Sequence, residues 1–367
     1  MSEAGAVARG GRWVEDALYH CIGWLSIDEW HGSQEIQIDS WPLRRHRCGG
    51  PWLMNLSVGQ PEESDMESAS FAVCLPGPLD AAASLDTFRR NGDDLMDRWD
   101  GKRLVRALRA GDEWVAYRCV PSGTVKSPVL YVTVGSGGYR DEVATAVQSS
   151  FMMPPAEYAG LLRDDPVLAR LDALFPGLRP VRQHDLLGAL LRAISAQQVN
   201  LKWAATTRQR LAERFGCRLM VGGEFVYYLD AVRLAEASVA DIRALQFTTR
   251  KAEYIIATAR AVAEGGLTVE RLTTVEDDEV ISLLAAIRGI GLWTAEWILA
   301  RTLGRPRVVA GDLGVRKAVG LAYLGTPLPS EAEVRAATAH WGPSAGIAQQ
   351  LLLSALVHGV LGSIPAA

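Results

Sequence analysis

The segment Gly289-Ile290-Gly291 constrains the fold of this chain most, because two helical patterns meet at it. Apolar residues recur at helical spacing in 279–287, and a second helical stretch begins after Gly291. Gly289 is placed to end the first helix in a left-handed conformation, and Ile290 can anchor the turn in a core. The sequence therefore predicts two helices joined by a tight two-glycine turn.

The second glycine of this turn indicates a phosphate-binding site. Gly291 has no side chain to cover the backbone N–H groups at the start of the second helix, where such groups have no partner within the helix. These donors and the positive end of the helix dipole can hold a phosphate oxygen without reading any base. An ordinary α-hairpin with a glycine turn has the same three residues, so the turn alone leaves both interpretations open.

A carboxylate follows the turn at a fixed distance along the chain. Pro306 stops the second helix, and the run Gly311-Asp312-Leu313 begins another. Asp312 lies about twenty residues after the turn, so one helix and its return bring it back to the same side of the molecule. An Asp at a helix start is commonly only an N-cap. A carboxylate beside a bound DNA strand also suits attack on a glycosidic carbon, so Asp312 is a candidate catalytic residue and both interpretations stay open at this point.

The first 150 residues have a different pattern, which is typical of a sheet. Apolar and polar residues alternate in 35–39 and 130–134, as they do in half-buried strands. The run Gly135-Ser136-Gly137-Gly138 is interpreted as a turn, because it lacks the ending of a phosphate loop. A helical pattern over 141–153 then stops at Pro154, which predicts a domain boundary there.

Beyond that boundary the pattern becomes helical. An apolar stripe at helical spacing comprises Leu186, Leu187, Leu190, Leu191 and Ile194. Helix starts are predicted at Asp165-Pro166, Thr273-x-x-Glu276 and Ser330-x-x-Glu333. A chain of 367 residues is also long for one core. We therefore predict an α+β protein with a mixed α/β domain containing an antiparallel sheet over 1–154, followed by an all-α domain over 155–367.

Composition and charge exclude several classes of protein. No stretch approaches the roughly 20 apolar residues of a membrane span, and no signal-peptide pattern opens the sequence, so we expect a cytoplasmic protein. The five cysteines have irregular spacing and no C-x-x-C pair, which argues against a disulfide framework and a zinc site. From Val181 onward the sequence carries 20 Lys+Arg and 17 Asp+Glu, a net charge of +3, whereas the residues before it carry −7.

The hairpin and the Asp312 segment together resemble a known family. The run IRGIGLWTAEW, followed by VVAGDLGVRK, resembles the hairpin and catalytic loop of the helix-hairpin-helix (HhH-GPD) DNA glycosylases. Bifunctional members carry a lysine nucleophile where this chain has Trp293, so the sequence is similar to the monofunctional DNA-3-methyladenine glycosylase II group. The upstream runs LRAISAQQV and TRKAEYI resemble the same group. The resemblance implies a helix-hairpin-helix glycosylase domain in the second half of the chain.

The resemblance also implies a role for individual residues. Asp312 would stabilise the oxocarbenium-like sugar, or activate water, as the base leaves. Trp293 would stack on the extruded base, since a positively charged alkylpurine is attracted to an aromatic face. Gln198, or Gln197 beside it, would fill the gap left by the flipped nucleotide. We expect duplex DNA with damaged bases as the partner of a monomeric, nucleoid-associated protein.

Further site residues are assigned through the same resemblance. Gly289, Gly291 and Thr294 would contact DNA, and carbonyls around the two glycines could hold a sodium or potassium ion. No cysteine follows Cys217, so no iron–sulfur cluster is expected. Relatives often show W-x-P-[WY]-R in a later helix, whereas this chain has WGPSAG. We assign Trp341 of that run to the base pocket and expect the pocket to be altered there.

Other interpretations are weighed against this one. The run GPSAG matches the nucleophile elbow of α/β-hydrolases, but a helical stretch precedes it and no acidic residue follows Ser344, so a chance match is favoured. A non-catalytic DNA-binding protein in which Asp312 is only a helix cap stays open. A glycosylase for uracil, hypoxanthine or mismatched adenine also stays open. With Trp293 in place of a lysine, the sequence predicts base removal without strand cleavage.

Overall fold

The N-terminal part of the structure contains a five-stranded antiparallel sheet. The computed structural model describes residues 68–89 and 92–361. The strands are β1 (Ala69–Cys74), β2 (Arg98–Trp99), β3 (Leu104–Ala110), β4 (Glu113–Thr124) and β5 (Ser127–Val134), in the spatial order β1-β5-β4-β3-β2. Helices α1 (Ala81–Arg89) and α2 (Arg140–Gln148) share a hydrophobic core with the sheet. The predicted α+β class is confirmed.

Alternation along β5 explains why this segment forms a half-buried strand. Leu130, Val132 and Val134 are buried, whereas Tyr131 between them is 56% exposed. The strand predicted at 130–134 is therefore confirmed, and the one predicted at 35–39 lies outside the described residues. The helix predicted over 141–153 ends earlier, at Gln148, because Phe151 leaves the helix and forms a β-bridge.

The second part of the chain is mostly helical. Its helices are α3 (Tyr158–Asp164), α4 (Pro166–Leu174), α5 (Leu186–Ala196), α6 (Leu201–Phe215), α7 (Ala231–Ala235), α8 (Val239–Ala244), α9 (Thr249–Ala263), α10 (Val269–Thr274), α11 (Asp277–Ala285), α12 (Leu292–Arg301), α13 (Leu313–Val319), α14 (Glu331–Thr338) and α15 (Ala345–Val357). The predicted stripe on α5 is buried along its whole length. Leu187, Leu191 and Ile194 join a core formed with α6 and α9, and the other two leucines join a core with α11 and α12. Helix α5 therefore connects two cores.

Two of the three predicted helix starts are confirmed. Asp165 accepts the N–H of Leu168 at 2.9 Å and precedes a proline at the first position of α4. Ser330 and Glu333 form a reciprocal capping box at α14. The start predicted at Thr273 is wrong, because Thr273 lies inside α10 and the N-cap of α11 is Glu276.

The prediction of an all-α second half needs one correction, a β-hairpin. Strands β6 (Gly216–Val221) and β7 (Glu224–Leu229) pair antiparallel through the turn at Gly222 and Gly223, where φ is 53° and 80°. Such a turn favours glycine at both central positions. The hairpin packs on the N-terminal sheet, where Val221 and Val226 are buried with Val105. It therefore ties the two parts of the chain together.

A buried group of charges also lies between the two parts. Asp94, in the loop before β2, accepts from Arg192 of α5 at 2.9 Å and from Arg208 of α6 at 2.8 Å. Asp97 pairs with Arg106 at 2.6 Å and with Arg192 at 2.8 Å. Burial opposes ionisation of Asp94, but the charges of its two arginines lower its pKa to about 2. The domain boundary near residue 154 stays a prediction.

The part of the chain that the structure describes contains neither a membrane-spanning helix nor a disulfide bond. No helix within 68–89 or 92–361 is long and apolar enough to cross a membrane. The cysteines of this part, Cys74, Cys119 and Cys217, form no disulfide bond.

Candidate active site and nucleic-acid interface

The turn between α11 and α12 requires glycine at position 289. Gly289 has φ of 93°, in the left-handed region. A Cβ atom at this position would lie 2.1 Å from Cγ of the Tyr254 ring on α9. Ile290 is buried beneath the turn. The predicted two-glycine turn is confirmed, and the packing of Tyr254 is a second reason for the glycine.

The second glycine leaves the start of α12 open. Gly291 is the extended N-cap residue of α12, and no side chain caps this helix. No heavy atom lies within 4 Å of the position that its Cβ would take, and Leu292 beside it is 46% exposed. The first N–H groups of a helix lack intrahelical acceptors, and the dipole is positive there. This end of α12 is therefore suited to an anion such as phosphate.

Asp312 is the N-cap of α13 and also contacts α12. Its Oδ1 accepts the backbone N–H of Val315 at 3.0 Å. Its Oδ2 accepts the indole Nε1–H of Trp293 at 3.3 Å. The carboxylate is half-buried. One oxygen thus caps a helix while the other faces the residue two positions after Gly291, so the cap and site interpretations are compatible.

Helix α15 holds the segment that leads to Asp312. The N–H of Asp312 donates to the carbonyl of Val309 at 2.9 Å, and the N–H of Val309 donates to Oε1 of Gln349 at 2.8 Å. The next residue, Gln350, accepts from Nη2 of Arg301 at 2.8 Å. Burial lowers the pKa of Arg301 to about 10, and the negative charge of Asp312 opposes this shift. A fixed guanidinium therefore contributes positive potential near the Asp312 carboxylate.

A second buried carboxylate connects the same elements. Glu296 lies one helical turn after Trp293 and is 1% exposed. Its Oε1 accepts from Arg307 at 3.0 Å, in the segment before Asp312, and from Arg335 of α14 at 2.8 Å. Because breaking a buried ion pair is costly, Glu296 holds α12, the segment before Asp312 and α14 in one arrangement.

The end of α5 lies beside the hairpin. Nε2 of Gln197 donates to the carbonyl of Gly289 at 3.1 Å. Gln198 follows with φ of 53° and an exposed side chain. A left-handed conformation is strained for a residue with a side chain and is often found at functional sites. The structure thus brings Gln197 to the turn and leaves Gln198 exposed next to it.

Charged side chains fix the backbone just before Gln197. Lys251 of α9 donates to the carbonyl of Ser195 at 2.8 Å, and Arg208 donates to its hydroxyl oxygen at 2.8 Å. Burial lowers the pKa of the Lys251 ammonium group to about 8. Arg208 is in turn paired with Asp94 of the N-terminal part. The loop that carries Gln198 is therefore supported from both parts of the chain.

Two predicted site residues lie away from the surface. The side chain of Thr294 is 1% exposed, so its burial argues against a direct contact with DNA. Trp341 is also 1% exposed and packs in the core around α15, with the rings of Tyr323 and His340 about 6 Å away. Its assignment to an open base pocket is therefore not supported by this structure. The WGPSAG run turns inward, since Ser344 is also buried.

Sequence reasoning missed several residues that position the site. Glu296, Arg301 and Gln349 act through contacts with residues that are distant in the sequence. Only Glu296 had a local signal, an acidic residue inside the apolar run LWTAEWIL, because buried carboxylates are rare unless paired. The partners of Arg301 and Gln349 are set by tertiary packing.

The expectations about metals and clusters stay predictions. One lone pair of the Gly289 carbonyl is already used by Gln197, which leaves one for a cation. The described ranges contain no group of three or more His, Cys, Asp or Glu placed to hold a metal ion.

The residues of the hairpin and the Asp312 segment lie in a part of the sequence that is similar to known proteins. Residues 191–344 match the model of the HhH-GPD superfamily base excision DNA repair protein. The chain is 31% identical over 186 residues to a DNA-3-methyladenine glycosylase of Bacillus subtilis, covering 49% of this chain and 60% of that protein. It is 34% identical over 134 residues to DNA-3-methyladenine glycosylase 2 of Escherichia coli, covering 36% and 47%. The chain therefore spans about half to three fifths of the length of these relatives.

The fold is also found in a solved structure. A 3-methyladenine DNA-glycosylase from Archaeoglobus fulgidus superposes with a TM-score of 0.69, at 23% identity, over 78% of this chain and 98% of that one. The two proteins share a fold. The predicted resemblance is confirmed, and the residues that match the HhH-GPD model, 191–344, include the hairpin, Trp293 and Asp312.

Proposed function

We propose that this chain is a monofunctional DNA glycosylase that removes alkylated bases of the 3-methyladenine type from duplex DNA. The observation that carries the proposal is the contact between Trp293 and Asp312 beside the uncapped start of α12. An aromatic ring and a carboxylate beside a helix end that is suited to phosphate support the proposal. The names of the relatives from Bacillus subtilis and Escherichia coli support the same substrate class.

The proposed reaction begins with anchoring of the DNA backbone at α12. The N–H groups after Gly291 bind a phosphate of the damaged strand. Gln198 fills the gap that the extruded nucleotide leaves, and its exposure and left-handed backbone support this role. The damaged base then lies against the face of Trp293, where a cationic alkylpurine is favoured over a neutral base.

Asp312 carries the chemical step in this proposal. As the bond between the sugar and the base breaks, positive charge develops on the sugar, and the Oδ2 carboxylate oxygen stabilises it or directs water to the anomeric carbon. The bonds to Val315 and Trp293 orient the carboxylate before substrate arrives. An alkylated purine leaves readily, so no general acid is required.

Base removal without strand cleavage follows from the position of the lysines. Trp293 occupies the place of the lysine nucleophile in bifunctional relatives. Lys251, whose pKa is lowered, is mostly buried and its Nζ donates to the carbonyl of Ser195. We therefore expect no covalent adduct with DNA after borohydride reduction, and an abasic site as the product.

The test is release of methylated bases from duplex DNA by the full chain. Asp312→Asn should lower the rate of release by about 10³-fold while binding to an abasic duplex stays nearly intact. Asp230→Asn is the matched control, because Asp230 also caps a helix and is half-buried but lies at α7. Release of uracil or adenine in place of methylated bases would assign the chain to a different substrate class. Binding without release from any lesion would support the non-catalytic alternative.

A further inference from the structure

Two large apolar side chains are exposed at the first turn of α6. Leu201 is 44% exposed and Trp203 is 38% exposed, the largest exposed fraction of any tryptophan within 68–89 and 92–361. Lys202 between them is exposed too. Residues two positions apart point in different directions around a helix, so the two side chains lie on different sides of the N-terminal end of α6. We call these two side chains, Leu201 and Trp203, the α6 patch.

The α6 patch continues the face that carries the other predicted DNA contacts. It begins three residues after Gln198, and the bond from Gln197 to Gly289 places this end of the chain beside the hairpin. Leu292, the first residue of α12, is exposed on the hairpin side. The patch therefore borders the place where, under the proposed function, a nucleotide leaves the base stack.

The fold holds the patch in position. The Asn200 side chain accepts the backbone N–H of Trp203 at 2.7 Å and caps the helix. The guanidinium carbon of Arg210 lies 5.4 Å from the centre of the Trp203 ring, a cation–π distance. Ala204 and Ala205, the next two residues, are buried. An exposed aromatic ring that is oriented in this way is a preformed contact surface.

The charges around the patch select the kind of partner. Lys202 and Arg210 both lie beside the apolar side chains, and positive charge next to an aromatic ring suits a nucleic acid. Intact duplex DNA stacks its bases and hides their faces, whereas a site that has lost or extruded a base exposes them. Apolar side chains bind such interrupted stacks by wedging or stacking.

We infer that Leu201 and Trp203 form a second contact with DNA, which binds the exposed base faces next to the gap at an extruded or missing nucleotide. This inference rests on the proposed function and extends it, because it assigns recognition of distorted DNA to α6 as well as to Gln198. Lys202 has a different role, attraction to phosphates irrespective of the state of the stack.

The experiment measures binding of the full chain to two duplexes of one sequence, one intact and one with a tetrahydrofuran abasic analogue. Trp203→Ala should weaken binding to the abasic duplex about tenfold and leave binding to the intact duplex within about twofold. The salt dependence of DNA binding should be the same for Trp203→Ala and wild type. Leu201→Ala should act in the same direction with a smaller effect.

Two control variants separate stacking from charge and from general effects. Lys202→Ala should weaken binding to both duplexes alike and reduce the slope of log K against log salt by about one. Tyr131→Ala, an exposed aromatic residue on β5, should change neither duplex. The inference is overturned if Trp203→Ala weakens both duplexes equally or neither. The inference is also overturned if the wild-type chain forms a dimer and the Trp203→Ala variant is a monomer.

Failure of this inference is distinct from failure of the proposed function. If wild type releases bases and Trp203→Ala leaves the ratio of affinities for the abasic and intact duplexes unchanged, only the role of the α6 patch is rejected. If no base is released from any lesion, the proposed enzymatic activity is rejected. The ratio of affinities for the abasic and intact duplexes, compared between wild type and Trp203→Ala, still tests the α6 patch.

Discussion

Asp165 and Asp312 both cap a helix, yet their surroundings differ. Asp165 at α4 is 3% exposed, and its Oδ2 accepts from the Tyr323 hydroxyl at 2.7 Å and from His340 at 2.8 Å. Asp312 at α13 is half-buried, and its Oδ2 accepts from Trp293 alone among the hydrogen bonds found in the described part. Under the proposed function, this difference explains why Asp312 can act on a substrate and Asp165 cannot, since the second oxygen of Asp312 accepts one hydrogen bond and its side chain is partly exposed.

The largest effect is expected when the charge of Asp312 is removed. Asp312→Asn should lower the rate of base release by about 10³-fold, since one electrostatic stabiliser contributes 10²–10³ or more. The free energy of unfolding should change by less than about 1 kcal/mol, because Asn is an equally good N-cap. Single-turnover kinetics and thermal unfolding measure the two quantities. A stability loss as large as the rate loss would show that Asp312 is mainly structural.

The opposite result is expected at Asp165. Asp165→Asn should lower the free energy of unfolding by about 2–3 kcal/mol, because an amide cannot accept all the hydrogen bonds of the buried carboxylate. The rate of base release by the folded fraction should stay within about twofold, since Asp165 belongs to the core around α15. Chemical denaturation and active-site titration test this, and a large rate loss in folded protein would remove the contrast between the two caps.

Removing one residue's hydrogen-bond donor to each carboxylate sharpens the comparison of Asp165 with Asp312. Trp293→Phe keeps an aromatic ring but removes the Nε1–H, and it should slow base release about tenfold, the value of one hydrogen bond to a charged group. Tyr323→Phe removes the donor to Asp165 and should cost about 1–2 kcal/mol of stability with little change in rate. Measuring both quantities on both variants is sufficient. Equal rate losses in the two would contradict the assignment of Trp293 to the site.

A third capping carboxylate, Asp185 at α5, should show in the pH dependence of stability. Burial raises its pKa to about 6, so its contribution to stability is present below the unfolded value near 3.8 and is lost as pH rises through 6. Burial, with the charges of Arg106 and Arg182, lowers the pKa of His184 to about 3, so stability from His184 is lost as pH falls below 6.5. The two effects oppose each other between pH 4 and 6.

Asp185→Asn should therefore unmask the effect of His184. The variant should lose about 2–4 °C more in Tm than wild type when pH falls from 6 to 4. Melting curves at matched ionic strength give the difference. Parallel Tm curves for the two proteins would mean that Asp185 has the same pKa in the folded and unfolded chain.

Local sequence order explains why the centre of the site was predictable. Gly289, Gly291 and Asp312 lie within one hairpin and its return, so helix geometry predicts that they lie close together, whereas Trp293 was assigned through the family resemblance. The presence of an N-terminal sheet was predictable for a similar reason, since alternation along β5 records which face is buried, but the number of its strands was not predicted. The β6–β7 hairpin could also have been found, because a glycine pair between two apolar runs is a hairpin signal.

The remaining parts depend on contacts between distant segments. Trp341 is buried because Tyr323 and the core around α15 close over it, which no local pattern in WGPSAG records. The support of Gln198 involves Lys251 and Asp94, from α9 and from the N-terminal part. Tertiary packing decides such positions, so their exposure cannot be read from spacing.

The pairing of Asp94 with Arg192 and Arg208 has a consequence for shortened versions of the chain. A chain cut at the predicted boundary near residue 154 would keep both arginines and lose the carboxylate between them. Leaving buried charges without a counterion costs about 3–5 kcal/mol, a large share of the stability of an ordinary domain. The sheet and the helices are therefore expected to unfold cooperatively, and residues 155–367 alone make a poor scaffold for engineering.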